Sequence, residues 1–440
     1  MSEKPRKFKG GVHPNDSKAL SAHKAIQEAP LYGTYKVIMH QNIGAPPELL
    51  VKKGDAVKKG SLLCKASGFV SVPLHAPTSG TVKMIDKVPG PTGISVPCIV
   101  IEADGEDEWG CPFEPIADWQ KTDPAELKQR VWDAGIVGMG GAGFPAHVKL
   151  SPPEDKPVDK LILNGAECEP YLTADHRLML EQAEEVVLGA AILARILGLE
   201  TAVIGVEDNK PDAIQALEKV AGKYNIEVVS LPVNYPQGAE KQLIYAITGR
   251  EVPVGKLPSD VGCVVQNVAS AVAVAEAVVK GIPSIERITT VTGKPLNDPG
   301  NWKLRIGTPI DEVLKLTGGI KEQPAKLLLG GPMMGIAQSS LDVTVMKNTS
   351  GVLLIAKDEV SLYTSEPCIR CGRCVDCCPM QILPATISQA VENNRFDWAE
   401  RLNVMACIEC GSCSYSCPSH RPLNQQFKRA KVEIRAGLRK

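Results

Sequence analysis

A chain of 440 residues with a formal net charge of −1 and 44% hydrophobic residues is long enough for roughly three or four globular domains. Neutral overall charge and only 4% aromatic residues argue against a nucleic-acid surface. No stretch approaches the roughly 20 apolar residues needed to span a bilayer. The best attempt, 264–282, contains Gln266, Asn267, Glu276 and Lys280 and reads as a buried helix. The basic start, 1–11, has no apolar core and is not a secretory signal. Cys64, Cys98, Cys111, Cys168 and Cys263 are scattered without pair spacing, which predicts reduced thiols and a reducing, cytosolic compartment.

In chain order, 1–30 is polar and predicts a surface segment. From 31 to 104 short β segments alternate with glycine and proline, as in 51–60 and in His75-Ala76-Pro77-Thr78-Ser79-Gly80. This text resembles a lipoyl-type barrel-sandwich domain. The carrier lysine of such domains is missing, because Ser71-Val72-Pro73 stands before the turn; a docking or structural module is expected. Between 120 and 283, apolar runs at 160–163, 202–206 and 227–231 predict buried parallel strands. Helical periodicity at 175–197, 211–221 and 238–247 alternates with them, so this part reads as an open α/β sheet. Residues 284–335 return to short strands and turns with one helix at 309–316, and 336–366 connects them to a C-terminal region.

Within the α/β part, Gly138-Met139-Gly140-Gly141-Ala142-Gly143-Phe144-Pro145 formally contains G-x-G-x-x-G. The dinucleotide fingerprint must follow a strand, yet 127–134 reads as a helix, so the ordinary Rossmann assignment fails. Four glycines still allow close approach of backbone N–H groups to a phosphate or a flat ring. Pro145 suits the first turn of a following helix, whose N-terminus would favour negative charge. A tight structural turn is the competing reading.

The cysteines of 367–440 form two copies of one spacing. Cys368, Cys371, Cys374 and Cys378 precede Pro379; Cys407, Cys410, Cys413 and Cys417 precede Pro418. Both read C-x2-C-x2-C-x3-C-P, the run that holds [4Fe–4S] cubes in two-cluster ferredoxins, where the fourth cysteine ligates the other cube. By that rule Cys368, Cys371, Cys374 and Cys417 hold cluster 1, and Cys378, Cys407, Cys410 and Cys413 hold cluster 2. Paired zinc sites are the competing reading. Cys377 falls outside the spacing and predicts a packed thiol. The tail, 427–440, reads as a basic amphipathic helix that is either solvated or set against anionic lipid or a partner.

The glycine loop resembles that of the flavin-bearing subunit of respiratory complex I and related hydrogenase subunits. Asn164-Gly165-Ala166-Glu167-Cys168-Glu169-Pro170, Tyr235-Pro236-Gln237-Gly238-Ala239-Glu240 and Gln266-Asn267-Val268 resemble further segments of it. The resemblance implies a Rossmann-like FMN domain, then an SLBB β-grasp module, then a helical iron–sulfur region. It implies that Gly138, Gly140, Gly141, Gly143, Lys149, Asn164, Glu167, Tyr235, Gly238, Glu240 and Asn267 contact FMN or NAD(H), with Glu167 and Glu240 at the chemistry. Asp175 and Arg177 fit less cleanly and are expected as a surface ion pair; His147 and His176 are expected as surface or packing residues. Met139, Ala166 and Ala239 depart from the pattern at positions that bear on nicotinamide recognition.

Two cluster runs and the N-terminal barrel-sandwich text match a nearer family: the whole chain resembles the RnfC family of the Rnf ion-translocating ferredoxin:NAD oxidoreductases. The resemblance implies a multidomain α/β protein with a barrel-sandwich hybrid, an FMN domain, an SLBB module and an α-helical two-[4Fe–4S] ferredoxin-like domain. It implies a redox subunit lying peripherally on the cytoplasmic face of the cell membrane. Its partners would be the other subunits of the complex, NAD(H) and, indirectly, ferredoxin. A soluble flavin reductase of the cobalamin-reductase kind is the alternative; there the barrel text follows the clusters rather than preceding the flavin domain. An electron-relay scaffold with a vestigial flavin site is a third reading.

Overall fold

The structure, a computed structural model, describes residues 5–110, 113–360 and 364–437, so Cys111 and the last three residues of the tail lie outside the described residues. The first module packs two small antiparallel sheets. One pairs Thr34–Ile38, Ser95–Ala103, Gly80–Pro89 and Ala56–Val57; the other pairs Glu48–Leu49, Leu62–Lys65 and Leu74–His75. Side chains alternate across the strands, and the inward set, including Val37, Leu63, Leu74, Val82, Ile99 and Ile101, forms a closed core. Gly80 shows why the turn before its strand needs glycine: its φ is +150°, and a Cβ would lie 2.1 Å from the Glu102 carbonyl.

The second module is a four-stranded parallel sheet in the order Ile226–Leu231, Ala202–Glu207, Lys160–Gly165, Cys263–Asn267. Every residue of Ala202–Glu207 is buried, which is why the central strands read as unbroken apolar runs. Helices Ala183–Leu197 and Val268–Ala275 pack on one face, where Gly189 lets the helices approach: a Cβ there would lie 2.0 Å from the Ala271 carbonyl. Two expectations are corrected. The stretch 264–282 is not one helix: its start belongs to the edge strand Cys263–Asn267, followed by a helix and a π-helical turn at Glu276–Lys280. Valine-rich text suits a strand or a buried helix equally, and pairing with Lys160–Gly165 decides it. The stretch 175–197 is two helices, Ala174–Glu181 and Ala183–Leu197, broken at Gln182.

A six-stranded mixed sheet builds the third module, ordered Ile26–Glu28, Gly300–Arg305, Glu286–Thr292, Gly351–Ile355, Lys326–Leu329, Ile336–Gln338. It recruits strands from outside 284–335: one from the N-terminal segment, paired in parallel at Ile26↔Asn301, and two, Ile336–Gln338 and Gly351–Ile355, from the connector. The N-terminal segment is therefore more than surface wrapping. Lys18, Ser21 and Val12 are buried, and Val12 bridges Tyr235 by reciprocal backbone hydrogen bonds. In the fourth module, Pro384–Glu392, Phe396–Arg401 and Leu423–Gly437 pack around the two cysteine runs through Ile387, Val391, Ala399, Phe427 and Ala430.

The first three modules meet at a buried lysine. Lys347 Nζ donates to Pro73 O at 3.0 Å and Gly135 O at 2.6 Å, while Trp132 Nε1 donates to Ser71 O at 3.0 Å. These contacts pin the hairpin that would carry a swinging lysine in a lipoyl domain. Burial pushes the Lys347 ammonium down to about 7. Between that value and the ordinary lysine range the unfolded chain holds the extra proton, so the junction tightens as pH rises through that window and is weakest below it. Hydrogen exchange of 71–76 and 134–137 should slow from pH 7 to pH 9 after correction for intrinsic rates. In Lys347→Met this dependence should vanish, a difference of up to roughly 2 kcal/mol.

Candidate functional site

The glycine loop opens between helix Pro124–Asp133 and the one-turn helix Ala146–Lys149. Gly138 N donates to Phe144 O at 2.8 Å and Gly143 N to Gly138 O at 3.2 Å, which closes the loop on itself. Its neighbours, most of them in other modules, grip it. Met139 N donates to Ser270 Oγ at 3.0 Å, Arg287 Nη1 to Met139 O at 2.8 Å, Asn348 Nδ2 to Gly141 O at 2.8 Å and Ile43 N to Gly143 O at 3.1 Å. Gly140, Gly141 and Ala142 stay exposed, and a Cβ on Gly141 (φ +145°) would meet nothing within 4 Å. The loop thus presents bare backbone on an open face. Pro145 is the cap of a helix only one turn long, so the expected pull of a helix dipole on an anion is slight.

The C-terminal ends of Lys160–Gly165 and Cys263–Asn267 lie beside this loop, where open α/β sheets place ligands. A Cβ on Gly140 would approach Asn267 Nδ2 to 3.3 Å. Asn267 caps its helix by accepting from Ala269 N at 2.9 Å and donates to Asp175 Oδ2 at 2.8 Å. Asn164 Nδ2 donates to Gly238 O at 2.7 Å, joining two of the segments that carry the resemblance. Lys149 Nζ donates to Glu240 Oε1 at 2.7 Å and Val265 O at 3.0 Å.

Glu167 differs from the expectation of a reacting group. At φ +48° it turns its carboxylate onto Asp175 N (2.7 Å) and His176 N (3.2 Å), capping helix Ala174–Glu181. Asp175 is no surface ion-pair partner: burial, and then the Glu167 charge, push its carboxyl up to about 6. Arg177 pairs with Glu181 instead. His147 and His176 are buried; His147 stacks on Trp132 at 4.4 Å, and His176 Nε2 lies 2.8 Å from Asp212 Oδ1.

Sequence reasoning missed the groups that hold the 166–173 loop. Lys18 Nζ reaches Glu167 O (2.9 Å), Glu169 O (3.0 Å) and Leu172 O, and Lys210 Nζ reaches Ala166 O at 2.8 Å and Glu207 Oε2 at 3.0 Å. Lone lysines in polar text carry no signal for this, because most of their partners are backbone oxygens distant in sequence. Glu169 accepts from Met333 N at 3.1 Å and Met334 N at 2.8 Å, and burial pushes its carboxyl up to about 7.

Past this loop lies the cluster region. Tyr235 is buried, and its hydroxyl donates to Cys410 O at 2.8 Å, so its polar end serves the cysteine loop rather than a nucleotide. Cys168 Sγ accepts from Gly238 N at 3.2 Å and packs on the cluster-domain core. Two small cavities follow. Cys378, Cys407, Cys410 and Cys413 line the first, and Cys368, Cys371, Cys374 and Cys417 the second. Each takes three cysteines from one run and the fourth from the other. Arg370 N and Glu409 N point at Cys368 Sγ (3.4 Å) and Cys407 Sγ (3.3 Å), as N–H groups do toward cluster thiolates.

The residues present fit both groups: bare glycine backbone at a sheet's C-terminal edge for a flavin phosphate or ring, and eight thiols in two sets of four around two cavities for cubes. Fold and site together define an iron–sulfur flavoprotein of electron transfer. The comparisons agree in order along the chain: the RnfC barrel sandwich hybrid domain matches residues 6–106, the Nuo51 FMN-binding domain 131–276, the SLBB domain 288–337 and the 4Fe-4S dicluster domain 361–418. The chain is 48% identical over 433 residues to the C subunit of the proton-translocating ferredoxin:NAD(+) oxidoreductase complex of Clostridium ljungdahlii, covering 98% of this chain and 95% of the relative. It is 46% identical over 441 residues to the C subunit of the Na(+)-translocating complex of Acetobacterium woodii, covering 100% of both. The chain belongs to the RnfC family, the C subunits of ion-translocating ferredoxin:NAD(+) oxidoreductase complexes. A NAD+-reducing [NiFe]-hydrogenase in the H2-reduced state shares the fold at TM-score 0.52 and 20% identity, over 73% of this chain and 65% of that one. Among the described residues no helix is long and apolar enough to cross a membrane.

Proposed function

We propose that this chain is the NAD(H)-facing redox subunit of an ion-translocating ferredoxin:NAD+ oxidoreductase complex, seated peripherally on the cytoplasmic face of the membrane. When bound, FMN exchanges electron pairs with the nicotinamide and the two [4Fe–4S] cubes carry electrons singly, a division of labour that belongs to the cofactors. The protein seats, orients and insulates. Gly140 and Gly141 offer backbone to the flavin, while Gly138 and Gly143, expected to do the same, close the loop beneath them. Asn164, Gly238 and Asn267 shape the strand-end side of its pocket, and the Lys149–Glu240 pair sets the charge at its rim. Glu167 is a positioning residue that orders helix Ala174–Glu181. Cys378, Cys407, Cys410 and Cys413 hold one cube; Cys368, Cys371, Cys374 and Cys417 hold the other.

The single observation that carries this reading is the shared wall between flavin domain and cluster domain. Tyr235 bonds the Cys410 carbonyl there, and Gly238 and Cys168 bond behind it. That wall makes the cube of Cys410 the one nearer the flavin. Two of the three family departures are buried: Met139 packs into the main core and Ala166 lends its carbonyl to Lys210. Those positions shape the floor of the site rather than its lining. The test is anaerobic reconstitution of the full chain with FMN, iron and sulfide, followed by NADH. Loss of both the flavin band and the broad iron–sulfur absorbance is expected; bleaching of neither would leave a scaffold, and bleaching of the flavin alone would break the relay.

A further inference from the structure

The third module holds a buried cation against the back of the glycine loop. Strand Glu286–Thr292 carries Arg287, which is 3% exposed, and its Nη1 donates to Met139 O and Lys347 O, both at 2.8 Å. Among the described residues its Nε and Nη2 have no partner. Two carboxylates act on it only through space, and both are committed elsewhere: Glu167 to Lys18 and its helix cap, Asp175 to Asn267. Burial lowers the guanidinium to about 10, so it stays cationic at neutral pH. A buried cation bonded to carbonyls and to no carboxylate is costly to keep. Beside it, Thr289 Oγ1 donates to Thr349 O at 2.9 Å and ties the turn after Met346 to the same strand. That turn sets Asn348 Nδ2 on Gly141 O at 2.8 Å.

In a trans peptide the C=O and the following N–H point opposite ways. Drawing Met139 O inward therefore turns the Gly140 N–H to the open face. Holding Gly141 O on Asn348 likewise turns the Ala142 N–H away from that side chain. Gly140 and Ala142 are exposed, and among the described residues neither N–H has a partner. Gly138, Met139 and Gly143 use theirs inside the protein. We propose that Arg287 and Asn348 are positioning residues of the flavin site: they fix the loop with two N–H groups outward, toward the part of the flavin that gains negative charge on reduction. This rests on the flavin reading above. Outward N–H groups with a cation one peptide behind them favour an anion. The pair therefore favours reduced over oxidised flavin and raises its midpoint potential. Neither residue lies in the stretches that resemble a flavin site; both reach the loop from another module.

The test compares full-chain variants reconstituted anaerobically with iron, sulfide and FMN: Arg287→Met, Arg287→Lys, Asn348→Ala and a control, Arg305→Met. Arg305 belongs to the same sheet, but its bonds go to Pro77 O and Asp107. In Arg287→Met, affinity for reduced FMN is expected to fall about tenfold more than affinity for oxidised FMN, a midpoint about 30 mV lower for a two-electron couple. Arg287→Lys keeps the charge and should restore the potential; Arg305→Met should leave it unchanged. Asn348→Ala should weaken FMN binding by about threefold or more. Without flavin, amide exchange at 138, 139 and 143 should quicken in Arg287→Met and Asn348→Ala, while cluster electron paramagnetic resonance stays unchanged. An unmoved potential in Arg287→Met, an equal drop in Arg305→Met, or unchanged loop exchange in Asn348→Ala would each overturn the assignment. If Arg287→Met does not fold, Asn348→Ala decides alone. Unaltered protein that takes up no FMN would sink the flavin reading instead, and quicker loop exchange in the variants would still support the clamp.

Discussion

Anaerobically prepared Cys378→Ser protein is expected to hold about four iron atoms per chain where the unaltered protein holds about eight. The cube it loses is the one built from the second run, although residue 378 belongs to the first. The reason is spatial: Cys378 lines the cavity of Cys407, Cys410 and Cys413, while Cys417 lines the cavity of Cys368, Cys371 and Cys374. Serine offers a harder and far less acidic ligand, so three thiolates would be left to hold a cube that needs four. Iron analysis together with electron paramagnetic resonance of the reduced protein decides it. Loss of the cube nearer Cys371 instead, or zinc without iron in the unaltered protein, would dismantle the ligand assignment. In the proposed relay the lost cube is the one nearer the flavin, so NADH should then reduce the remaining cube far more slowly.

Lys18→Met should loosen the flavin domain from the inside. Lys18 Nζ donates to three carbonyls of one loop, and its charge faces the Glu167 carboxylate at 3.9 Å. Burial pushes its ammonium down, while Glu167 pulls it back up. Methionine keeps much of the volume but leaves three buried acceptors and a carboxylate without their cation, a cost on the order of 3–5 kcal/mol. That loop carries the Glu167 cap, the Cys168 contact to Gly238 and the Glu169 contacts to Met333 and Met334. Faster hydrogen exchange over 166–173 and a lower flavin-to-protein ratio are therefore expected. Unchanged exchange there would show that the N-terminal segment lies on the loop without holding it.

Much of the architecture is legible in the residues alone. The helix Pro211–Ala221 and the strands near 160 and 202 stand out because a buried parallel sheet needs unbroken apolar strands between amphipathic helices, whereas the strand Ile226–Leu231, expected to be buried, lies at the sheet edge with Glu227 and Ser230 exposed. The stretch 264–282 reads wrongly as one helix because valine and alanine satisfy a buried strand and a buried helix alike, and only the pairing partner decides. The site is legible where chemistry is local in sequence, as in the glycine loop and the two cysteine runs. It is illegible where a side chain serves distant backbone: Lys18 acts on carbonyls more than 140 residues away, and Tyr235 on one 175 residues away.

By itself the amino-acid sequence determined the two cysteine runs that point to iron–sulfur cubes, because thiolate spacing is a property of a few consecutive residues, while the flavin came from the resemblance of the glycine loop to a known family. Only the tertiary structure decided that Glu167 is a cap, that the N-terminal segment braces the flavin domain, and that the glycine loop is gripped from the third module. The physical reason is that burial and hydrogen-bond partnership depend on what packs against a group, and those neighbours come from other modules of the chain.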